Sequence, residues 1–367
     1  FVLFSRRFAL VALVLTGGLL YADHYLTGKM TTDDDFDSLS ASDLHQTATE
    51  ADGRLEREER FSEALSGLEE QLADLPSFTE VDRYLLSNND IPAEALAKLD
   101  TGKAPRSSYL SSDASKIQVF VLFGLDGVNS SDSVMLVALD RVHQKIKLIS
   151  LARDSYVFIP EFASFSKLAY SYTWGGAAMA VKNLNYNYYL NVSDYIAVDF
   201  DQLAEIIDRI GGVTVNIDED EARYLSNYPN VHVGDCLLDG ETAVSYARIR
   251  KSSATDSDRK RTGRQREVIL SILNTLQTMP LSQYPGFVRD CLGMCATSFE
   301  AETLLTMAAE TLGQNYTVEQ YFFPEGQVDW WAGLIKEYFY YVYDLRRASD
   351  RIYRIIYEEL YISGYDD

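Results

Sequence analysis

Apolar and polar positions alternate in a regular order from residue 116 onward. Residues 116–123 are β-branched and aromatic and end at Gly124, and further apolar runs follow at 133–139 and 145–151. Short runs of this kind, closed by glycine or polar residues, are typical of buried strands. The intervening residues 140–144 are few enough for a hairpin. The pattern therefore predicts three successive β-strands, with the last two joined by a hairpin.

Apolar residues recur with helical spacing farther along the chain. The clearest case is 200–210, an amphipathic helix that ends at Gly211 and Gly212, and the alternation at 213–217 predicts a strand after it. Further helices are predicted at 175 to about 190, 265–277, 301–312 and 330–361. Because strands and helices alternate, we predict an α/β fold with a mixed central sheet covered by helices on both faces.

The N-terminal residues predict a membrane anchor helix. Arg6 and Arg7 precede an apolar run at 8–22, and Asp23 follows it. A basic flank before the run and an acidic flank after it are typical of a segment whose N-terminus stays in the cytoplasm. A cleaved signal peptide is the alternative interpretation. Both interpretations send the residues after about 30 across the membrane.

Three regions are expected along the chain. Residues 1–30 are predicted to be a cytoplasmic stub and transmembrane anchor. Residues 31–115 are predicted to be a stalk and an accessory helical segment, since polar residues dominate at first and apolar residues with helical spacing follow at 54–75. Residues 116–362 are predicted to form the globular domain that carries the function.

Charge and cysteine content narrow the classes of function. The formal net charge is -22, so most of the surface would repel a nucleic-acid duplex, and we predict no nucleic-acid partner. Four scattered histidines argue against a His-based metal site or a Ser-His-Asp triad. Cys236, Cys291 and Cys295 are too few for a disulfide scaffold. A local bridge between the last two, a bridge from one of them to Cys236, and three unpaired thiols remain as alternatives.

A basic stretch interrupts this acidic chain. It runs from Tyr246 to Lys251 and, after a Ser- and Asp-rich spacer, from Asp258 to Arg266. Like charges this close repel one another unless an anion neutralises them. Arginine presents a rigid fork of donors that matches phosphate oxygens two at a time. The stretch therefore predicts an anion site, with a solvated loop as the alternative.

Charged residues also stand at the ends of the predicted strands, where α/β folds place their sites. Asp126 follows the first strand, Asp132 precedes the second and Arg153 follows the third. Two neighbouring carboxylates can hold Mg2+, and a divalent ion beside several arginines suits a pyrophosphate group. The alternative is that both aspartates are turn residues.

Several ordered motifs resemble those of the LytR-CpsA-Psr family. They are SDSVMLV (131–137), KLISLARDSYVFIP (147–160), KLAY (167–170) with Gly175-Gly176, DYIAVDF (194–200), IGGV (210–213), LDG (238–240), AVSYARIR (243–250) and DRKRTGRQ (258–265). The resemblance covers most of residues 116–280. It implies a membrane-anchored enzyme outside the cell that transfers a glycopolymer from undecaprenyl pyrophosphate to peptidoglycan and leaves a phosphodiester link.

The same resemblance implies partners, a cofactor and site residues. The partners are the lipid-linked glycopolymer, peptidoglycan and the membrane, and the cofactor is Mg2+. The matched positions are Asp126 and Asp132 for the metal, Arg153, Arg248, Arg250, Arg261 and Gln265 for the pyrophosphate grip, and Lys167 and Arg264 for further substrate binding. Ser130 stands where the family usually has an arginine, which removes one guanidinium group. A non-catalytic polyprenyl-pyrophosphate-binding protein or regulator is the alternative function.

Overall fold

The computed structural model describes residues 77–103, 112–126, 130–250, 254–278, 294–299, 303, 307, 316–324 and 328–357. Across these ranges the chain has a mixed α/β architecture with a central mixed sheet flanked by helices, as predicted. The predicted anchor at 8–22 lies outside the described ranges. Within them, no helix is both long and apolar enough to cross a membrane.

The strands and helices are as follows. The strands are β1 (Ile117–Leu125), β2 (Ser131–Asp140), β3 (Lys145–Leu151), β4 (Tyr156–Ile159), β5 (Ser164–Lys167), β6 (Asp194–Asp199), β7 (Val213–Ile217), β8 (Gly234–Leu238), β9 (Ala296–Thr297), β10 (Thr317–Phe323), β11 (Trp330–Ile335) and β12 (Tyr338–Tyr343). The helices are α1 (Phe78–Val81), α2 (Ala93–Leu96), α3 (Leu168–Tyr188), α4 (Phe200–Arg209), α5 (Glu219–Tyr224), α6 (Gly240–Ala247), α7 (Ala254–Thr278) and α8 (Leu345–Tyr357).

The described residues divide into two compact units. The first contains the described residues of Ile196–Ile249 and Gly263–Thr317. The second contains the described residues of Arg60–Tyr195, Arg250–Thr262 and Val318–Asp367.

The sheet of the second unit has the strand order β10-β3-β2-β1. β1, β2 and β3 run antiparallel, with Ile117 opposite Asp140 and Val134 opposite Leu151. β2 is buried along almost its whole length. A strand covered on both faces reads as a continuous apolar run, which is why the hydrophobic pattern located these strands. β3 begins and ends where predicted. β1 begins one residue later and ends two residues later than predicted, and β2 begins two residues earlier and ends one residue later.

The core of the second unit includes residues that precede the predicted domain boundary at 116. Leu86, Ile91 and Ala95 pack with the buried Tyr156 and Tyr340. The backbone of Leu86 also exchanges hydrogen bonds with that of Phe165 on β5, at 2.7 and 2.9 Å. The globular part therefore starts before residue 116. The segment before residue 116 is short and interrupted by proline. Its apolar residues show no helical or strand periodicity that would have indicated burial.

The helix predicted over 330–361 is wrong in its first half. β11 and β12 form an antiparallel hairpin in which Trp330 pairs with Tyr343, and helix α8 begins only at Leu345. Aromatic and β-branched residues favour strands, and cross-strand pairing between them stabilises the hairpin. Helical spacing holds only within α8, where Ile352, Ile355 and Ile356 are buried.

The first unit contains the β7–β8 hairpin and helices α4, α5 and α6, with β7 at the predicted bounds. Asp199 caps α4 by accepting a hydrogen bond from the backbone N–H of Gln202 at 2.8 Å. Helices α4 and α6 approach closely at Gly240, where a Cβ atom would lie 2.0 Å from the carbonyl oxygen of Ala204. Only glycine fits at that position.

Two helices begin earlier than predicted. α3 starts at Leu168, and the Gly175-Gly176 pair forms a non-helical kink within it, with Gly176 at a φ of 61°. α7 starts at Ala254, so it contains the second half of the basic stretch. Of the helix predicted at 301–312, only positions 303 and 307 are described, and both are helical.

The cysteines that the structure describes are free thiols. Cys236 is buried, and its Sγ donates a hydrogen bond to the carbonyl oxygen of His232 at 3.0 Å. Cys295 is partly buried and also unbridged. The disulfide alternatives are therefore wrong for these two residues, and the interpretation as unpaired thiols is confirmed for them. Cys291 lies outside the described ranges.

Candidate functional site

Asp132 lies on an irregularity at the start of β2. Gly124 pairs with Ser133 and Leu125 pairs with Ser131, so Asp132 has no partner on β1 and is the extra residue of a β-bulge. Bulges re-aim side chains and occur next to functional sites. Only about a tenth of the Asp132 side chain is exposed, so its carboxylate needs positive partners in the fold.

Three arginines in the second unit supply that positive charge. Arg153 Nη1 contacts Asp132 Oδ1 directly, Arg261 Nη1 lies 3.6 Å from the same oxygen, and Arg250 Nη2 lies 3.8 Å from it. Arg261 Nη1 also donates a hydrogen bond to the backbone carbonyl of Asp132 at 2.9 Å. The bulge thus draws together a residue after β3, a residue after α6 and a residue within α7.

The three arginines differ in exposure. The Arg261 side chain is 1% exposed, Arg153 is 19% exposed and Arg250 is 52% exposed. Arg261 is therefore a fixed part of the interior, whereas the guanidinium group of Arg250 reaches solvent. A ligand that arrives from solution would meet Arg250 first.

Lys167 and Asp154 extend this charged cluster. Lys167 Nζ donates a hydrogen bond to Asp154 Oδ1 at 2.6 Å, and Asp154 Oδ2 lies 3.6 Å from Arg153 Nε. The charged side chains joined by these contacts are Arg153, Arg250, Arg261, Lys167, Asp132 and Asp154, and together they carry a formal charge of +2. We call these six side chains the cation cluster. Its excess positive charge and partial burial suit an anion with several oxygens.

Tyrosine rings surround Lys167, and the sequence analysis missed them. The Nζ atom lies 6.0 Å from the ring centre of Tyr170, 5.8 Å from that of Tyr338 and 5.3 Å from that of Tyr340. Rings at this distance attract a cation. Burial raises the pKa of Tyr170 to about 12, so its hydroxyl stays protonated at neutral pH. The aromatic run at 338–343 was a visible signal, but it was assigned to a helix.

Asp126 closes the connection between β1 and β2. Its backbone N–H donates to the carbonyl of Ser130 at 2.9 Å, and its Oδ1 accepts from the backbone N–H of Ser130 at 2.8 Å. This is the turn role that was the alternative for this residue. Asp126 and Asp132 therefore stand on the two arms of one hairpin.

Asp126 and Asp132 are the carboxylates of the predicted magnesium site. Within the described ranges, no group of three or more His, Cys, Asp or Glu side chains is arranged to hold a metal ion. Mg2+ is commonly held by one or two carboxylates while water and phosphate oxygens complete its shell. The carboxylates of Asp126 and Asp132 fit that donor chemistry, and their Mg2+ role stays a prediction.

The remaining predicted residues, Arg248, Gln265 and Arg264, lie in the first unit. The Arg248 guanidinium carbon lies 4.6 Å from the ring centre of Phe200. Gln265 is buried on α7, and its Oε1 has no hydrogen-bond partner among the described residues. A buried amide oxygen without a donor is uncommon and marks a position that a ligand or water can satisfy.

Arg264 has a structural environment. Its Nε donates to Glu221 Oε1 at 2.6 Å and its Nη1 donates to the carbonyl of Ile249 at 3.1 Å. The side chains of Arg264 and Glu221 are 5% and 8% exposed. These contacts favour a role in holding α5 and α7 together over the predicted contact with substrate.

Comparisons with known proteins agree on one family. The model of the LytR_cpsA_psr family matches residues 89–352. A protein of Oceanobacillus iheyensis named polyisoprenyl-teichoic acid–peptidoglycan teichoic acid transferase TagU is 28% identical over 60% of this chain and 69% of its own length. The regulatory protein MsrR of Staphylococcus aureus is 30% identical over 47% of this chain and 54% of its own length.

Solved structures resemble the fold. The crystal structure of B. subtilis TagT has a TM-score of 0.54 at 19% identity and covers 71% of this chain and 99% of that one. Protein gbs0355 from Streptococcus agalactiae has a TM-score of 0.56 at 23% identity and covers 67% of this chain and 91% of that one. At these identities the likeness establishes the fold alone.

Proposed function

Because the chain belongs to the LytR_cpsA_psr family, we propose that it is an extracytoplasmic phosphotransferase that moves a glycopolymer from undecaprenyl pyrophosphate to peptidoglycan, leaving a phosphodiester link. The observation that carries the proposal is the convergence of Arg153, Arg250 and Arg261 on Asp132. The name of the TagU relative, which describes a polyisoprenyl-linked donor and a peptidoglycan acceptor, supports the same reaction class.

The cation cluster suits a pyrophosphate group for physical reasons. Guanidinium forks bind phosphate oxygens in pairs, and the cluster keeps an excess of +2 after its own carboxylates are counted. Arg261 and Asp132 are largely buried, so their charges are weakly screened and already oriented before substrate arrives. Donors that need no rearrangement stabilise the charge that develops in the transition state.

The reaction proceeds by displacement at phosphorus. A hydroxyl group of peptidoglycan attacks the phosphorus that bears the sugar, a new oxygen–phosphorus bond forms, and the bond to the carrier phosphate breaks. Undecaprenyl phosphate leaves with the bonding electrons. Asp154, which Lys167 and Arg153 hold in place, is our candidate for the group that accepts the hydroxyl proton. Arg153, Arg250 and Arg261 neutralise the oxygens that gain charge.

Asp126 and Asp132 are the residues that would hold Mg2+, which would supply further neutralisation of phosphate oxygens. The N-terminal apolar run would keep the protein at the membrane, where the lipid carrier resides. The acceptor, peptidoglycan, places the reaction on the outer side of that membrane.

A non-catalytic pyrophosphate-binding regulator is the second candidate. Ser130 stands where the resemblance expects an arginine, and a relative bears the name regulatory protein MsrR. Ser130 contacts Asp126 through its backbone, and its short, uncharged hydroxyl side chain cannot replace the missing guanidinium group. Turnover decides between the two candidates, because a regulator would bind the lipid-linked polymer without releasing undecaprenyl phosphate.

The decisive experiment is Arg250→Ala, because this arginine is half exposed and its removal leaves the buried members of the cluster in place. We expect release of undecaprenyl phosphate from a lipid-linked substrate, with acceptor and Mg2+, to fall by roughly 10²-fold or more. Arg223→Ala is the matched control, since Arg223 is 74% exposed and pairs with Asp220 on the surface. If Arg250→Ala turns over as fast as the control, the cation cluster does not act on the reacting phosphate.

A further inference from the structure

Five aromatic side chains form a continuous group on the second unit, and no step of the proposed reaction is assigned to them. Tyr84 lies 5.0 Å from Tyr170 and 5.7 Å from Tyr338, measured between ring centres. Trp174 lies 5.3 Å from Tyr170 and 5.3 Å from Phe162. We call these five rings the aromatic platform.

The platform differs from the aromatic core beneath it. Tyr156 and Tyr340 are fully buried, whereas every residue of the platform is partly exposed. The five residues come from four separate places in the chain: the early segment, the turn after β4, helix α3 and the start of β12. Partly exposed rings gathered into one patch are the kind of surface that binds a ligand or partner.

The platform adjoins the cation cluster. Lys167, a member of the cluster, has its Nζ 6.0 Å from the ring centre of Tyr170 and 5.8 Å from that of Tyr338. At another edge of the platform, the Arg83 guanidinium carbon lies 4.5 Å from the ring centre of Tyr84. A ligand on these rings therefore has a cationic donor at two edges.

We propose that the aromatic platform binds a pyranose ring of a saccharide next to the pyrophosphate on the cation cluster. One face of a pyranose presents C–H groups that pack on an aromatic ring, while its hydroxyl groups point outward to hydrogen-bond donors and acceptors. The platform offers this combination, with ring faces, three phenol groups, the indole N–H of Trp174 and the flanking Lys167 and Arg83. The inference rests on the proposed function, because it gives the polymer's sugar a place beside its phosphate.

A hydrocarbon chain fits the same surface poorly. It offers no hydrogen-bond partner to the phenol groups, and it would take the charged Lys167–Asp154 pair out of water, which costs free energy. The sugar could come from the donor polymer or from the glycan strand of peptidoglycan. The two share the same ring chemistry, so the experiment includes both.

The test compares two platform variants with a matched control. Trp174→Leu and Tyr84→Leu each remove one ring while keeping an apolar side chain. Tyr224→Leu makes the same change at a tyrosine of α5 that is 58% exposed and has no part in the cation cluster or the platform. Equilibrium binding of the full chain is titrated with inorganic pyrophosphate, with a phosphate-free saccharide released from a lipid-linked glycopolymer, and with soluble uncross-linked peptidoglycan strands.

We expect at least one saccharide to bind the unaltered chain and the control equally, and its affinity to fall about tenfold in each platform variant. Pyrophosphate affinity should stay within about twofold, since every arginine of the cluster is intact. The saccharide that responds identifies the donor or the acceptor as the source.

Other outcomes overturn the inference. If pyrophosphate binds but neither saccharide does, the platform is not a sugar site, while the proposed function stands. If the saccharide affinities do not change in either variant, the sugar binds elsewhere. If no saccharide binds, and binding to neutral phosphatidylcholine vesicles weakens in both variants, the rings contact a lipid surface instead of a sugar. Failure of the unaltered chain to bind pyrophosphate would instead count against the proposed function.

Discussion

Replacing Asp132 with asparagine removes the one negative charge on which three guanidinium groups converge. The amide keeps the size of the side chain, so the bulge in β2 can remain. Arg261 loses its contact with the Asp132 carboxylate but keeps its hydrogen bond to the Asp132 backbone carbonyl. The prediction is that the folded state becomes less stable because like charges are left close together in a largely buried place.

The magnitude follows from the distances. At 3.6 Å, the separation of Arg261 Nη1 and Asp132 Oδ1, a unit pair attracts by about 4–5 kcal/mol at an effective dielectric constant of about 20. The Arg250 contact at 3.8 Å contributes much less, since half of that side chain is in water. Breaking one side of a buried pair costs about 3–5 kcal/mol in net terms, and we expect Asp132→Asn to fall in that range.

Urea unfolding, followed by circular dichroism in phosphate-free buffer, measures this loss. Asp220→Asn is the control, because its ion pair with Arg223 is exposed and should contribute below about 1 kcal/mol. Adding inorganic pyrophosphate should recover part of the lost stability, since a bound anion replaces the missing charge. A loss below about 1 kcal/mol for Asp132→Asn would refute the reasoning, as would a loss that pyrophosphate leaves unchanged.

Three further predictions concern other parts of the fold. Glu221→Ala breaks a buried ion pair and should lower the free energy of unfolding by about 3–5 kcal/mol. Glu205→Ala breaks an exposed pair and should lower it by less than about 0.5 kcal/mol. Equal losses of the two variants in urea titrations would contradict this prediction. Gly240→Ala should destabilise the folded protein by about 2 kcal/mol or more, because the new Cβ would lie 2.0 Å from a backbone oxygen. Gly263→Ala should stabilise α7 by about 0.5–1 kcal/mol, because its Cβ would meet only a side-chain nitrogen at 4.0 Å. The two variants should therefore shift the thermal unfolding temperature in opposite directions. Burial raises the pKa of the Cys295 thiol from 9.0 to about 12, which lowers its thiolate fraction at pH 8. Iodoacetamide should therefore alkylate it on the order of 10²–10³-fold more slowly than a free thiol, as measured by peptide mass spectrometry. Comparable rates would show the thiol to be accessible and ionised.

Local pattern located much of the fold. β3 and β7 occur at the predicted bounds, and α4 ends one residue before its predicted end, because burial of one face imposes a period that the chain displays directly. The hairpin of β11 and β12 was missed because its aromatic residues also fit helical spacing. Only the pairing of Trp330 with Tyr343 across the hairpin resolves that ambiguity.

The sequence predicted which residues form the candidate site but not how their side chains are arranged in space. Arg153, Arg250 and Arg261 were identified in advance, and the structure brings them to Asp132. Arg264 belongs to the same motif, yet its guanidinium group is held by a buried glutamate. The two arginines of this motif cannot be told apart by sequence, because residues three apart on a helix lie on the same face. Only the packed structure shows that Arg261 meets Asp132 and Arg264 meets Glu221.

The sequence by itself determined the alternation of strands and helices, the concentration of arginine within an acidic chain and the family to which the motifs belong. Only the tertiary structure decided which arginines share one carboxylate, that the early segment belongs to the core, and that tyrosines from α3 and β12 surround Lys167. The physical reason is the separation along the chain over which each kind of interaction acts. Periodicity and composition act between neighbours in the chain. A charged cluster and a ring platform also depend on contacts between distant segments, such as Asp132 with Arg261 and Tyr84 with Tyr338, which are more than a hundred residues apart in the sequence.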